Sequence, residues 1–301
     1  VVACVPNFSE GRELRIVEAI IAAMKLDGVR LLDFTLDPAL NRSVVTLAGE
    51  PKSILEAAIR GAGKAAELID LNRHEGAHPR IGVADVIPFV PVSGIKLEQC
   101  VLLARQCGQE ISKRFNIPCY FYEAAATRPD RQNLDDLRRD QFEVLRDSVR
   151  TDSKRRPDLG GPNLHPTAGA SAIGARNYLT GYNIHFKTND IAAARAIARE
   201  IRTSAAGQKN VTAMAMVTNG RAQLIMNITD FKTNPISSVY ATVVRLAKKH
   251  RIDIAEGEIV GLIPESACER ESEWMRHLDG FVSSDKILER RLETPLEWPQ
   301  A

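Results

Sequence analysis

The 301-residue sequence is 44% apolar and 26% charged, a globular composition that excludes a disordered, collagenous or membrane-spanning chain. Lys and Arg number 40 against 38 Asp and Glu, and the net charge of +2 gives no field to recruit nucleic acid or an anionic membrane, so any anion binding must be local. The length strains a single core, which points to two domains.

In chain order, Val1–Phe8 reads as a strand, and Glu13–Leu26 as a helix with Val17, Ile20, Ile21 and Met24 on one stripe, closed by Gly28. Val29–Phe34 and Ser43–Leu47 read as strands, and Pro51 opens a helix carrying Ile54, Leu55, Ala58, Ile59 and Ala62. Val86–Val92 reads as a strand whose Pro88 and Pro91 suggest a sheet edge. A helix over Leu97–Phe115, a strand over Pro118–Tyr122 and one charged helix over Asp135–Asp147 follow.

Residues 151–170, TDSKRRPDLGGPNLHPTAGA, hold few large apolar side chains and predict a long connection, of the kind that is usually functional or a linker. The opening order then repeats. Tyr182–Phe186 is a strand, Ile191–Thr203 a helix, and Val211–Val217 with Gln223–Ile228 a hairpin about Asn219-Gly220. A helix begins at Pro235, and Glu258–Ile263 is a last strand. Two βαββαβ halves predict an α+β fold in which helices cover one face of each sheet, with a ligand cleft between sheets or at the domain junction.

Cys4, Cys100, Cys107, Cys119 and Cys268 are odd in number and scattered without a C-x-x-C pair, the pattern of buried thiols rather than a disulfide framework or zinc ribbon. The opening VVACVPNFSEGR reaches Pro6 and Glu10 before any long apolar run, unlike a signal or transit peptide, and no apolar stretch reaches the ~18 residues of a spanning helix. The expectation is a cytoplasmic protein.

The densest chemistry lies in LNRHEGAHPRIGVADVIPF, residues 71–89, with Arg73, His74, Glu75, His78, Arg80 and Asp85 around Gly76, Pro79 and Gly82. His74 to His78 formally spells H-E-x-x-H, whose two histidines converge on zinc only when one helical turn apart. Gly76 and Pro79 argue against that helix, so no metal is expected. A loop histidine between arginines suits proton transfer, with the arginines holding carboxylates. These residues alone do not choose between His74 and His78, and a hydrogen-bonding loop histidine without catalytic duty is the blander alternative.

VPNFSEGR places Asn7, Ser9 and Glu10 after the first strand, where Ser9 or Glu10 could equally cap a helix. DPALNRS places Asn41 and Arg42 at a strand start, which is otherwise a plain turn with a solvated arginine. Gly160-Gly161-Pro162-Asn163 could bring bare backbone against a heterocycle or be a linker, and Lys154-Arg155-Arg156 could steer an anion or be solvated surface. No Walker A, G-x-G-x-x-G or G-x-S-x-G string supports nucleotide or serine chemistry.

CVPNFSEGR, LLDFTLDPALNRSVVTLAG, RHEGAHPRIGVADVIPFVPV and GARNYLTGYNIHF, with Asp230-Phe231 and EIVGLIP later, resemble the glutamate formimidoyltransferase family, the folate-dependent formiminotransferases. The resemblance runs from the first residue to about 267. It implies two ferredoxin-like α/β subdomains, 1–178 and 179–301, with mixed or antiparallel sheets, a folate tunnel between them, and a homodimer. The implied activity moves a formimino group from N-formimino-L-glutamate to N5 of tetrahydrofolate, the co-substrate, with no metal, nucleic acid or membrane partner.

Under the same resemblance His78 is catalytic, and Gly160, Gly161, Pro162, Asn163, Leu164, His165, Pro166, Thr167, Ala168 and Gly169 contact folate. Asn7, Asn41, Arg42 and Arg80 are the candidates for holding the substrate. The sequence departs from the family at Ala77, where members carry Glu, and at Thr35, where animal enzymes carry an acidic residue, leaving Asp33, Asp37 or Glu10 as carboxylate partners for His78. The animal members continue into a cyclodeaminase domain, and this sequence matches their transferase half. Competing readings are a formyltransferase using the same tunnel, a non-catalytic folate-binding paralogue and a zinc hydrolase.

Overall fold

A computed structural model describes residues 1–203, 210–269 and 272–299. The chain divides into two compact units: Val1–Arg176 together with the stretch from Pro295, and Asn177–Thr294. Each has its own apolar core. Among the described residues, no helix is long and apolar enough to cross a membrane.

The first unit opens with strands β1 (Val2–Cys4) and β2 (Asn7–Phe8), helix α1 (Leu14–Ala23), strands β3 (Val29–Asp37) and β4 (Arg42–Gly49), and helix α2 (Pro51–Leu68). It continues with β5 (Ala84–Pro91), α3 (Leu97–Phe115), β6 (Cys119–Glu123), α4 (Leu134–Arg138), α5 (Gln141–Ser148) and β7 (Ser171–Ala175). The helical spacing of Val17, Ile20 and Ile21 puts all three in the core. Pro51 stands in the first turn of α2, whose small residues Ala57, Ala58, Ala62 and Ala65 are buried and let helices pack closely.

Across the sheet, β3 lies at one edge beside β4, which pairs antiparallel with β1 and then β2. Both of these pair antiparallel with β5, and β7 and β6 extend the sheet in parallel. The antiparallel part is the split βαβ order, and α3 serves as the crossover that the parallel extension requires.

Three sequence expectations are corrected here. The expected edge strand, β5, is central, flanked by β1 and β2 on one side and β7 on the other. Pro88 is tolerated because its missing N–H lies opposite the break between β1 and β2, where Val5 N–H donates to the Pro88 carbonyl at 3.2 Å. The single helix over Asp135–Asp147 is two, since Gln141 takes φ 55° and breaks the ladder. Ser171–Ala175, unread as a strand, is β7: its small residues lack β propensity, but burial between β5 and β6 overrides that.

The second unit runs β8 (Thr180–Phe186), α6 (Ile191–Thr203), β9 (Val211–Thr218), β10 (Arg221–Ile228), α7 (Ile236–His250) and β11 (Ile254–Val260). Short helices α8 (Glu273–Arg276), α9 (Ser283–Lys286) and α10 (Leu288–Glu293) follow. The antiparallel sheet order β11-β8-β10-β9 is ferredoxin-like. Alternation along β8 sends Tyr182, Ile184 and Phe186 into the core shared with α6 and α7. Asn219 and Gly220 take φ 51° and 75°, the positive pair that a two-residue hairpin needs.

Candidate active site

Three of the motif segments meet in the first unit. Asn41, at φ 50°, accepts the Gly11 N–H on its amide oxygen at 3.0 Å and donates to the Glu75 carbonyl at 2.9 Å. One buried amide therefore ties the turn after β2, the turn before β4 and the histidine loop together. Ser9 adds a hydroxyl bond to the Gly82 carbonyl at 2.7 Å, whereas the Glu10 carboxylate accepts the N–H groups of Arg12 and Glu13 at 2.8 and 2.9 Å. Glu10 thus organises the entry to α1.

The segments enclose a small polar pocket lined by Phe8, Ser9, Leu40, Asn41, Arg42, His74, His78, Arg80 and Asp85. The stretch from His74 to His78 is not helical, so the one-turn spacing of the zinc signature is absent. Among the described residues, no cluster of three His, Cys, Asp or Glu side chains could hold a metal ion.

Hydrogen-bond partners separate the two histidines. His74 Nε2 donates to the Asn41 carbonyl at 2.9 Å, and its Nδ1 accepts from Arg80 Nε at 3.1 Å. Both nitrogens are thereby tied into the fold. His78 Nδ1 donates to the Pro79 carbonyl at 2.7 Å, and its Nε2 lone pair accepts from Arg42 Nη1. A carbonyl can only accept and a guanidinium only donate, which fixes the His78 proton on Nδ1. Burial, then the Arg42 and Arg138 guanidiniums, push its pKa down to about 2, with the Pro79 carbonyl opposing.

The arginines divide similarly. Arg80 is 6% exposed and its donors are occupied, two of them on Glu143 at 2.7 and 2.8 Å and others on His74 and Gln141. Arg42 is half-buried rather than solvated, and its Nε has no partner among the described residues. Its pKa is lowered to about 10, by burial first and then by Arg138. Asn7, buried in β2, donates to the Val5 carbonyl at 2.7 Å.

Sequence reading missed Arg138, and with it the buried pair of Arg138 Nη1 and Asp85 at 3.2 Å; the other Asp85 oxygen accepts the Ile81 N–H at 2.7 Å. The signal was present: Arg138 stands four residues after Leu134, on the stripe that packs inward. Glu143 was also missed, because its partner Arg80 is 63 residues away in sequence. Of the alternative carboxylates, Asp37 caps the turn at Ala39 and Leu40, each at 2.9 Å, and Glu10 the entry to α1, while the Pro79 carbonyl takes the orienting position on His78 Nδ1.

The segment Gly160–Gly169 is stitched to the histidine loop. Leu71 N–H donates to the Thr167 carbonyl, Val83 N–H to Ala168 and Ala170 N–H to Ile81, at 2.9 to 3.0 Å. His165 Nδ1 accepts the Ala168 N–H at 3.0 Å, closing a tight turn whose Gly169 (φ 69°) packs against Gly82. A Cβ on Gly82 would lie 1.8 Å from the Ala170 oxygen, so only glycine fits. Leu164, Ala168 and Gly169 are buried anchors, and Gly160, Gly161, Pro162 and Asn163 are exposed. Lys154-Arg155-Arg156 is partly structural: Arg155 pairs with Asp140, and buried Arg131 donates to the carbonyls of Lys154 and Arg156.

Residues 1–176 match the family model described as the formiminotransferase domain, N-terminal subdomain, and residues 181–288 match the formiminotransferase domain model. The chain is 40% identical to a glutamate formimidoyltransferase from Thermoplasma acidophilum, over 97% of each chain. It is 37% identical to one from Streptococcus pyogenes over 97% of this chain and 98% of the relative. It is also 35% identical to the mouse formimidoyltransferase-cyclodeaminase over 88% of this chain and 50% of that protein. The chain belongs to the formiminotransferase family.

Proposed function

We propose that this chain transfers the formimino group of N-formimino-L-glutamate to N5 of tetrahydrofolate, releasing L-glutamate, with His78 as the proton shuttle. The observation that carries the reading is the His78 ring in the polar pocket, with its proton held on Nδ1 by the Pro79 carbonyl. Its Nε2 lone pair is thereby directed to the side where Arg42 stands. The names of the relatives favour formimino over formyl transfer.

N5 attacks the amidine carbon and the N5–C bond forms. His78 Nε2 takes the N5 proton and returns it to the glutamate nitrogen as the C–N bond to glutamate breaks, so no net proton is consumed. Such a shuttle contributes about 100-fold to 10,000-fold, and holding both substrates together adds to it. Arg42 is the cation available for a donor carboxylate, since Arg80 is engaged with Glu143 and holds His74. Asn41 forms part of the pocket wall, Asn7 is held in β2 by its bond to the Val5 carbonyl, and the exposed backbone of Gly160–Asn163 is the part of Gly160–Gly169 offered to folate. A cytoplasmic homodimer with a folate tunnel completes the reading.

Replacing His78 tests it. His78→Ala lowers kcat by about 100-fold to 10,000-fold while calorimetry still detects tetrahydrofolate binding. His74→Ala loosens the loop and lowers Tm, but its folded fraction keeps more activity. Equal losses per folded molecule would remove the assignment, and turnover with a formyl but not a formimino donor would replace the substrate.

A further inference from the structure

The arrangement that identifies His78 also blocks it. A general base needs a free lone pair, and the one on Nε2 is bonded to Arg42 Nη1. The charged and titratable groups around the ring are Arg42 from β4, Arg138 from α4 and Asp85 from β5, with His74 and Arg80 from its own loop and Glu143 of α5 bound to Arg80. His74 has both nitrogens bonded, Arg80 is paired with Glu143 and Arg138 with Asp85, whereas Arg42, on which Asp85, Asp37 and Tyr122 act without a close ion pair, is the cation bonded to the ring.

Arg42 is poorly satisfied where it stands. Its contact to the ring uses Nη1, while Nε is buried without a partner among the described residues. A buried donor without an acceptor is costly, and a carboxylate can accept from Nε and an Nη of one guanidinium together.

We propose that Arg42 is a substrate-released lock on the catalytic base: a carboxylate of the glutamate moiety draws the guanidinium off His78 Nε2, freeing the lone pair only when the donor substrate is bound. The proposal rests on the formimino-transfer reading and adds to it the control of its base. Removing Arg42 from Nε2 also takes away one of the cationic influences that keep the imidazole from accepting a proton. When glutamate departs, Arg42 returns and the ring is again without a free acceptor.

The test follows the His78 ring nitrogens by NMR in 15N-histidine-labelled full-length protein across a pH series, with and without saturating L-glutamate, its binding verified by calorimetry. In the free protein Nε2 stays an unprotonated acceptor until the acid end of the series, where its midpoint lies. Glutamate moves the protonation midpoint upward by about two pH units, roughly a hundredfold in proton affinity. Arg42→Gln produces that rise without glutamate, and glutamate then adds nothing. Glutamate binding with the wild-type midpoint unmoved, or Arg42→Gln leaving it unmoved, overturns the lock while transfer kinetics can still support the functional reading. Absence of glutamate binding also overturns the lock, and formimino-transfer kinetics then decide the functional reading separately.

Discussion

The two units share an order of strands and helices but treat charge differently. In the first, Arg80, Asp85, Arg131 and Arg138 are buried; in the second, the buried polar residues among those described are the neutral Thr180, Asn183, Gln223 and Asn234. A buried charge costs several kcal/mol unless paired, so a fold that needs only stability has no use for four of them. Three of the four, Arg80, Asp85 and Arg138, surround the histidine loop. Arg131 instead anchors the glycine-rich connection through Asp158 and the carbonyls of Lys154 and Arg156. The same scaffold therefore serves as a plain ferredoxin-like domain in one unit and carries a charged site in the other.

Glycine substitutions give the largest expected contrast. Gly82→Ala puts a methyl 1.8 Å from the Ala170 oxygen and should destabilise the first unit by about 4 kcal/mol or more. Gly220→Ala, in the second unit's hairpin, meets nothing within 4 Å and should cost only the left-handed backbone penalty of about 1 to 2 kcal/mol. Urea unfolding of both variants checks this, and similar losses would break the contrast.

Ion pairs come next. Asp85→Asn leaves buried Arg138 with only the exposed Asp135 at 3.5 Å as counter-charge, an expected loss of about 3 to 5 kcal/mol. Glu256→Gln removes the exposed partner of Arg221 and should change stability by about 1 kcal/mol or less, all of it screened by salt. A mild Asp85→Asn phenotype would mean that the buried charges of the first unit carry less than their burial implies.

The smallest expected effect is a pH dependence. His78 has a folded pKa below its unfolded value, so between the two the unfolded chain binds the extra proton. Its contribution is present above about pH 6.5 and is lost as pH falls from there. His78→Gln should make the decline in stability from about pH 7 to 5 shallower. In the second unit Glu200, bonded to Lys249 and His250, and Glu258, bonded to His185, have lowered pKa values. Their contributions persist through that window and go only below the ordinary carboxylate range, about pH 4. A slope unchanged by His78→Gln would place the acid sensitivity elsewhere.

Periodicity made most elements legible: α3 and α6 span the residues that their apolar spacing predicted, and the Asn-Gly turn fixed the β9–β10 hairpin. The failures have a common cause. Pro88 in a central strand depends on a break in neighbours some eighty residues earlier, and β7, Ser, Ala and Gly around the single Ile173, is a strand because two others flank it. The return of the chain from Pro295 to the first unit, where Leu296 N–H donates to the Leu31 carbonyl at 2.8 Å, leaves no trace in local pattern.

By itself the sequence determined the element types, the two-fold repetition of their order, the family and the short list of residues that could do chemistry, because each of these follows from neighbours along the chain. Which histidine is tied into the scaffold and which presents a lone pair to an arginine was decided only by tertiary structure. Those bonds join residues 33 and 36 positions apart, and an imidazole's role is set by what its two nitrogens meet across space.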